Sequence, residues 1–116
     1  MKLTAHLLAA ILCWTITVDK PVNTIDGDTF VVLAPIWHDM TVKERVRVLD
    51  IDTPELHGED KERGEQAKLF TTDWLNRGPF EITTCRRDAF GRLLAVVSRN
   101  REVLADELRA AGHTKK

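Results

Sequence analysis

Residues 46–55, Val-Arg-Val-Leu-Asp-Ile-Asp-Thr-Pro-Glu, limit what this chain can fold into more than any other stretch. The alternation at their start predicts a strand with Arg47 on the face opposite to the valines, because side chains alternate along a strand. Pro54 has no N–H, so we expect the strand ladder to end just before it. The strand would then deliver Asp52 and Glu55 into one small volume. Two carboxylates at such a short distance repel each other, which favours a cation between them.

Two other stretches place turn residues beside charged side chains. Residues 25–30 hold Gly27 between Asp26 and Asp28, a composition typical of a tight turn or bulge between strands. Residues 88–92, Asp-Ala-Phe-Gly-Arg, predict a second turn with a cation directly after its glycine. Both stretches are therefore candidates for loops that carry functional side chains.

These three stretches occur in the order found in the staphylococcal nuclease (thermonuclease) family, which the sequence resembles over residues 16–112. The family pattern is an acid-Gly-Asp-Thr turn, an Arg-containing strand ending in Asp-Thr-Pro-Glu, and an Asp-x-aromatic-Gly-Arg turn. The resemblance implies a mainly β, α+β fold: a five-stranded OB-fold β-barrel with one helix between strands 3 and 4 and a C-terminal helix. It also implies a Ca²⁺-dependent nuclease that hydrolyses DNA and/or RNA.

A metal site follows from the donor types and from the resemblance. Hard oxygen donors without imidazole or thiolate favour Ca²⁺ or Mg²⁺ over zinc or copper. Asp28 and Asp52 would supply carboxylates and Thr53 its main-chain carbonyl, and the resemblance makes this a Ca²⁺ site. Asp26 is expected just outside the ligands, where it would orient the water molecules of the metal.

The resemblance also assigns the reacting groups. Glu55 is the acid–base candidate, which would activate or orient a water molecule. Arg47 and Arg92 match the two catalytic arginines, whose planar forks donate paired hydrogen bonds to phosphate. Phe90 would contact substrate, but it stands where the staphylococcal enzyme has a tyrosine, so one hydroxyl donor is missing. The family usually continues beyond residue 116 with tyrosines that stack on a base, and we therefore expect weak substrate binding.

Each motif also has a purely structural interpretation. Residues 26–28 alone could form a simple hairpin turn, and Arg47 could pair with a carboxylate across the sheet. Residues 52–55 could begin a helix, with Thr53 as cap and Pro54 at the first position. Two non-catalytic functions remain open as well: an OB-fold module that binds nucleic acid, and a protein-interaction or inhibitor domain. A Ca²⁺-dependent shift in melting temperature would separate the metal-binding interpretation from the last of these.

Length and charge add limits. The 116 residues bound the chain to one domain, which we expect to be a monomer with a nucleic-acid substrate. A net charge of −1 favours no class of partner. Residues 86–101 contain five arginines and one acid, so this segment is locally basic.

The first 15 residues have a short cationic start and an apolar core, which is typical of a secretory signal and too short for a membrane span. A secreted or periplasmic domain over residues 16–116 follows from this interpretation. The alternative is a buried first helix or strand of a cytoplasmic protein. A Cys13–Cys85 disulfide requires that the segment be retained, and the cysteine spacing neither supports nor excludes it.

Hydrophobic periodicity predicts the order of elements. Strands are expected over residues 15–25, 29–33, 42–50, 80–85 and 93–98, with a loop over 34–40 that contains Pro35. An amphipathic helix is expected over residues 65–76, after a polar loop or frayed start over 56–64. A last helix is expected over residues 101–111, with Asn100 as N-cap and Gly112 as its stop.

Overall fold

The computed structural model describes residues 13–115, which form a compact, mostly β structure of seven strands and two helices. No helix within this range is long and apolar enough to cross a membrane. A 3-10 turn, Gly58–Asp60, directly precedes the first helix. The helices are α1 (Lys61–Asn76) and α2 (Leu104–Ala110). The strands are β1 (Trp14–Val18), β2 (Asn23–Asp26), β3 (Thr29–Trp37), β4 (Met40–Val48), β5 (Phe80–Arg87), β6 (Leu93–Arg99) and β7 (Glu102–Val103).

The strands form one sheet in the order β1-β5-β6-β4-β3-β2, with β7 paired to β6. All ladders are antiparallel except the one between β4 and β6, where Arg47 is opposite Leu94. This parallel pair places the end of β4 beside the start of β6, which follows Arg92. Among the described residues the ladders leave β1 and β2 as the two ends of the sheet. The mainly β fold with two helices is thus confirmed, and a closed five-stranded barrel is not.

Pro21 divides the first predicted strand. Instead of one strand over residues 15–25, the chain forms β1 and β2 with a short irregular connection between them. The N–H of Val22 still donates to the carbonyl of Val31 at 2.8 Å, but Pro21 has no N–H to offer. The chain therefore changes partners at the proline, from β5 on one side to β3 on the other.

The predicted loop over residues 34–40 is wrong. Strand β3 continues to Trp37, and β4 begins at Met40, so the hairpin turn is only His38 and Asp39. Pro35 is tolerated in this ladder because the register shifts between it and Trp37, and bulges are where sheets accept proline. His38 has φ 46°, the left-handed conformation that such a short turn requires.

Both helices differ from their predicted limits. Helix α1 begins at Lys61, so of the two alternatives for residues 56–64 the helix start, and not the polar loop, describes residues 61–64. Helix α2 begins at Leu104, because Glu102 and Val103 pair with β6, and Asn100 lies in the turn between those strands with φ 57°. The predicted stop at Gly112 is confirmed: its φ is 82°, and its N–H donates to the carbonyl of Arg109 at 3.1 Å.

The core lies between the inner face of the sheet and the two helices. Phe30 and Phe80 meet edge to face with ring centroids 5.9 Å apart. Trp74 is fully buried, and its indole N–H donates to Glu107 at 2.8 Å, which satisfies its one polar atom. The other large, fully buried side chains are Val32, Val46, Val48, Leu75, Ile82, Val97, Leu104 and Leu108.

A disulfide between Cys13 and Cys85 ties the start of β1 to β5, beside the Trp14–Thr84 pair of the ladder. The bridge that the sequence left open is therefore present. Residues 1–12, most of the proposed signal, lie outside the described residues. Trp14 and Thr15, its last members, are in β1.

Candidate functional site

The turn between β2 and β3 holds two acids in contact. The Asp28 N–H donates to the Asp26 carboxyl at 3.0 Å, and Asp28 is only 8% exposed. The Asp28 carboxylate accepts hydrogen bonds from the Thr29 hydroxyl at 3.2 Å and from the Thr53 N–H at 3.0 Å. The last bond connects this turn to the segment that follows β4.

The two acids titrate differently. Burial raises the pKa of Asp26 to about 6, and the hydrogen bond and charge of Asp28 add to this effect. Burial also acts to raise the pKa of Asp28. Hydrogen bonds from Asp26 and the Thr53 N–H, together with the charge of Arg47, outweigh burial and hold that pKa below its usual value. Asp28 therefore loses its proton at a lower pH than Asp26 does.

Arg47 lies between Asp28 and Asp52. Its Nη1 is 3.4 Å from the Asp28 carboxylate, and its Nη2 contacts the Asp52 carboxylate. The same guanidinium donates to the main-chain carbonyls of Val48 at 2.8 Å and Ile51 at 2.7 Å. One cation thus holds together two carboxylates that would otherwise repel each other.

Thr53 is buried between these acids and helix α1. Its hydroxyl oxygen is buried and has no hydrogen-bond partner in the described part of the chain. A Cβ on Gly27 would lie 2.7 Å from that oxygen and 2.8 Å from the Cβ of Ala67, so only glycine fits there. The Thr71 hydroxyl donates to the Gly27 carbonyl at 2.6 Å. The acidic turn is therefore packed directly onto α1.

Over residues 13–115, no group of three or more His, Cys, Asp or Glu residues is arranged to hold a metal ion. The candidate ligand atoms that do come together are the carboxylate oxygens of Asp28 and Asp52, linked through Arg47, and the hydroxyl oxygen of Thr53. All are oxygen donors, which fit a hard divalent cation that keeps several water ligands.

Arg92 reaches the same region from the turn between β5 and β6. Its Nε donates to Asp88 at 2.7 Å, and its Nη1 lies 3.4 Å from the Thr29 hydroxyl. Arg92 and Arg47 both line a cavity of about 310 Å³, together with Asp52 and Asp88. A larger cavity of about 690 Å³ is lined instead by Val22, Leu33 and Asn76 among others, and it contains none of the predicted site residues.

Glu55 does not line the cavity of the two arginines. Its side chain is half exposed, with His57 Nε2 3.0 Å from one carboxylate oxygen and Lys115 Nζ 3.4 Å from the other. The main chain of Glu55 is closely packed, since a Cβ on Gly64 of α1 would lie 2.2 Å from its carbonyl oxygen. Glu55 is connected to the acids through Lys115, whose N–H donates to the Asp52 carbonyl at 3.0 Å.

Phe90 is 73% exposed at the tip of the β5–β6 turn, with the Arg92 guanidinium 5.4 Å from its ring centre. Two arginines hold this turn in place: Arg45 donates to the Phe90 carbonyl at 2.7 Å, and Arg87 to the Gly91 carbonyl at 2.9 Å. An aromatic ring and a cation are thus presented together at the surface.

Three contributors were not predicted from the sequence. Gly64 fell at the end of the predicted polar loop or frayed start over residues 56–64, so nothing in the predicted elements indicated its contact with Glu55. Arg45 was predicted only as part of the strand over residues 42–50. Lys115 carried no local signal, since its partner Glu55 is 60 positions away in the chain.

A family model described as "Staphylococcal nuclease homologue" matches residues 45–115. The match includes Arg47, Asp52, Glu55 and Arg92, and it begins after the turn that carries Asp28. No curated protein matches the chain.

Proposed function

The chain belongs to the family of staphylococcal nuclease homologues, and from this premise we propose that it hydrolyses phosphodiester bonds in DNA and/or RNA. One observation carries the proposal. Arg47, on β4, and Arg92, in the turn that precedes β6, line a single cavity, and Arg47 also contacts the carboxylates of Asp28 and Asp52. A phosphate group placed in that cavity would meet two arginines beside two acidic oxygen donors.

The two arginines bind and neutralise the phosphate group. A guanidinium donates two parallel hydrogen bonds to phosphate oxygens and stays charged at any working pH. Arg92 is positioned for this by Asp88, which accepts both its Nε–H and its main-chain N–H. Losing one such donor typically costs about 3–4 kcal/mol in the barrier, or about 10²–10³ in rate.

Asp28, Asp52 and the main-chain carbonyl of Thr53 would hold Ca²⁺ in this proposal. When bound, the cation supplies positive charge against the phosphate oxygens. The buried and ionised Asp28 is suited to be a ligand, and Asp26 beside it would orient water molecules. Arg47, which offsets the charge of both acids, would then be released to contact phosphate.

Glu55 is proposed to take a proton from the attacking water molecule. In this step a water oxygen forms a bond to phosphorus and its proton passes to the Glu55 carboxylate, while the phosphorus–oxygen bond to the leaving nucleotide breaks and the leaving oxygen takes up a proton from solvent. The half-exposed position of Glu55 is compatible with an incoming strand. Phe90 would stack on a base of that strand beside Arg92.

The wider predictions also stay proposals. Closing the sheet into a five-stranded OB barrel would require β1 and β2, its two ends, to act as one bent strand, and the four-residue connection between them favours this. The Cys13–Cys85 disulfide favours an oxidising, secreted or periplasmic location. We also propose that the protein acts as a monomer.

The proposal is tested by incubating the purified protein with heat-denatured DNA or RNA in the presence of Ca²⁺, Mg²⁺ or a chelator. Cleavage that needs Ca²⁺ and is lost in Glu55→Gln would support it. Glu59→Gln is a matched control, because Glu59 is an exposed acid in the 3-10 turn close by in the chain. Equal cleavage by the two variants would remove Glu55 from the mechanism.

A non-catalytic module is the second candidate. It is favoured by the contacts of Arg47, which donates to Asp52 and to two main-chain carbonyls. If these contacts persist with ligands bound, Arg47 is structural. Ca²⁺ would then raise the melting temperature without any cleavage of nucleic acid.

A further inference from the structure

The segment that follows α2 is fixed against the candidate site. The chain turns at Gly112, and the His113 ring lies 5.1 Å from the ring of Phe70 on α1. Arg63, also on α1, donates to the Thr114 carbonyl at 2.6 Å. The N–H of Lys115 donates to the Asp52 carbonyl at 3.0 Å. These contacts hold the main chain of Lys115 beside one of the acids of the site.

The side chain of Lys115 is held much less firmly than its main chain. Its Nζ lies 3.4 Å from Glu55 Oε1, longer than a strong charge-assisted hydrogen bond. Both side chains of this pair are about half exposed. Such exposed pairs contribute little to stability, so a stronger anion can take the lysine at small cost.

Lys115 also lines a cavity that adjoins the cavity of the two arginines. A cavity of about 330 Å³ is lined by Asp50, Ile51, Asp52, Arg109, Thr114 and Lys115. It shares residues 50–52 with the cavity of Arg47 and Arg92. The lining of this cavity is not purely acidic, because Asp52 is paired with Arg47 and because Arg109 and Lys115 also line it. A strand that leaves the first cavity over residues 50–52 would pass Lys115.

We propose that Lys115 is a substrate-binding residue of this site, and that its ammonium exchanges Glu55 for a phosphate oxygen of the nucleic acid strand. The inference rests on the proposed function and extends it. The exchange has a consequence for Glu55: its Oε1 loses the lysine when a strand binds, so the carboxylate becomes available to accept a proton. Substrate binding and release of the proposed base are then one event.

The test measures binding of a fluorescently labelled single-stranded oligonucleotide with a chelator present, so that no cleavage occurs. Wild type, Lys115→Ala and Lys20→Ala are compared across a series of salt concentrations. Lys20 is a matched control of equal charge, because it lines the large cavity with Asn76 at the other end of α1. Loss of one phosphate contact should lower the slope of log affinity against log salt by about 0.7 for a single strand.

We expect this change and a several-fold loss of affinity for Lys115→Ala, no change for Lys20→Ala, and recovery of most of the slope in Lys115→Arg. Equal slopes for Lys115→Ala and Lys20→Ala would overturn the inference. A fall in kcat with unchanged binding would overturn it too, because Lys115 would then only position Glu55. A wild-type protein that neither binds nor cleaves nucleic acid would contradict the proposed function itself. Binding by wild type with the same salt dependence in Lys115→Ala would contradict this inference alone.

Discussion

Single residues decide whether the acids of this site can share one small volume. Asp28 is almost fully buried, and the guanidinium that contacts its carboxylate also contacts that of Asp52. Arg47 is the residue that makes the arrangement stable, through direct contacts with both carboxylates. Gly27 and Gly64 contribute through their lack of a side chain and not through charge. A side chain at Gly27 would collide with Thr53, and one at Gly64 would collide with the main chain of Glu55.

Replacing Arg47 with Met should therefore lower the free energy of unfolding by about 3 kcal/mol, because a buried carboxylate is left without its cation. Millimolar Ca²⁺ should restore more stability to this variant than it adds to wild type, since it replaces a missing positive charge. Urea denaturation with and without Ca²⁺ measures both effects. Lys43→Met on the same strand is the control, and a similar loss in that variant would contradict the account.

Gly64→Ala should destabilise the protein by about 1–3 kcal/mol, because its Cβ would collide with the Glu55 carbonyl and force the backbone to shift. Cleavage should slow as well, since Glu55 moves with its main chain. Gln66→Ala, at an exposed position of the same helix, is expected to leave both melting temperature and rate unchanged. A Gly64→Ala protein as stable as Gln66→Ala would show that the contact is easily relieved.

At the scale of elements, alternation along the chain was enough to predict β4, β5 and β6, and helical periodicity was enough for α1. Their limits and partners were not predictable in the same way. The break at Pro21, the bulge at Pro35 and the short strand Glu102–Val103 depend on which strand lies alongside, which a local pattern does not contain. The parallel pairing of β4 with β6, which brings Arg47 near Arg92, is also a long-range fact.

The disulfide between β1 and β5 closes a loop with a sequence separation of 72. Cys85→Ser should lower the free energy of unfolding by up to about 4 kcal/mol, because the unfolded chain loses this restraint. Denaturation in urea measures the loss. A reducing agent should destabilise wild type by a similar amount and leave the variant unaffected, and equal responses of the two proteins would argue against the bridge.

Arg87 links β5 to β4 through a bidentate pair with Glu44, at 2.9 and 2.6 Å. Hydrogen bonds from Arg87 hold the pKa of Glu44 below its ordinary value of 4.5. A lowered pKa means that the pair stabilises the protein above that value and that this stability is lost as the pH falls through the lowered pKa.

Glu44→Gln should accordingly lower the free energy of unfolding by up to about 1 kcal/mol at neutral pH. The difference from wild type should close as the solution is acidified below pH 4.5. Parallel urea titrations at several pH values measure it. A difference that persists unchanged in acid would mean that packing, and not charge, accounts for the loss.

For the whole molecule, three stretches far apart in sequence converge on one end of the sheet. The sequence predicted a set of acids and arginines for one site, because each belongs to a motif with its own local chemistry, and their roles stay predictions. It did not predict that Asp28 and Asp52 would both contact Arg47. It also did not predict that Glu55 would lie outside the cavity of the two arginines, or that Lys115 would contact Glu55. Those features depend on how α1 and the segment after α2 pack against the end of β4.

The most direct measurement is the single-turnover rate at which Arg92→Lys cleaves heat-denatured DNA with Ca²⁺, compared with wild type and Arg86→Lys. Arg86 is an exposed arginine on β5 near the same turn and serves as the matched control. Lysine keeps the charge but loses the planar fork, so Arg92→Lys should be slower by about 10²–10³, with Arg86→Lys close to wild type. No cleavage by wild type, or equal rates for the two variants, would contradict the account.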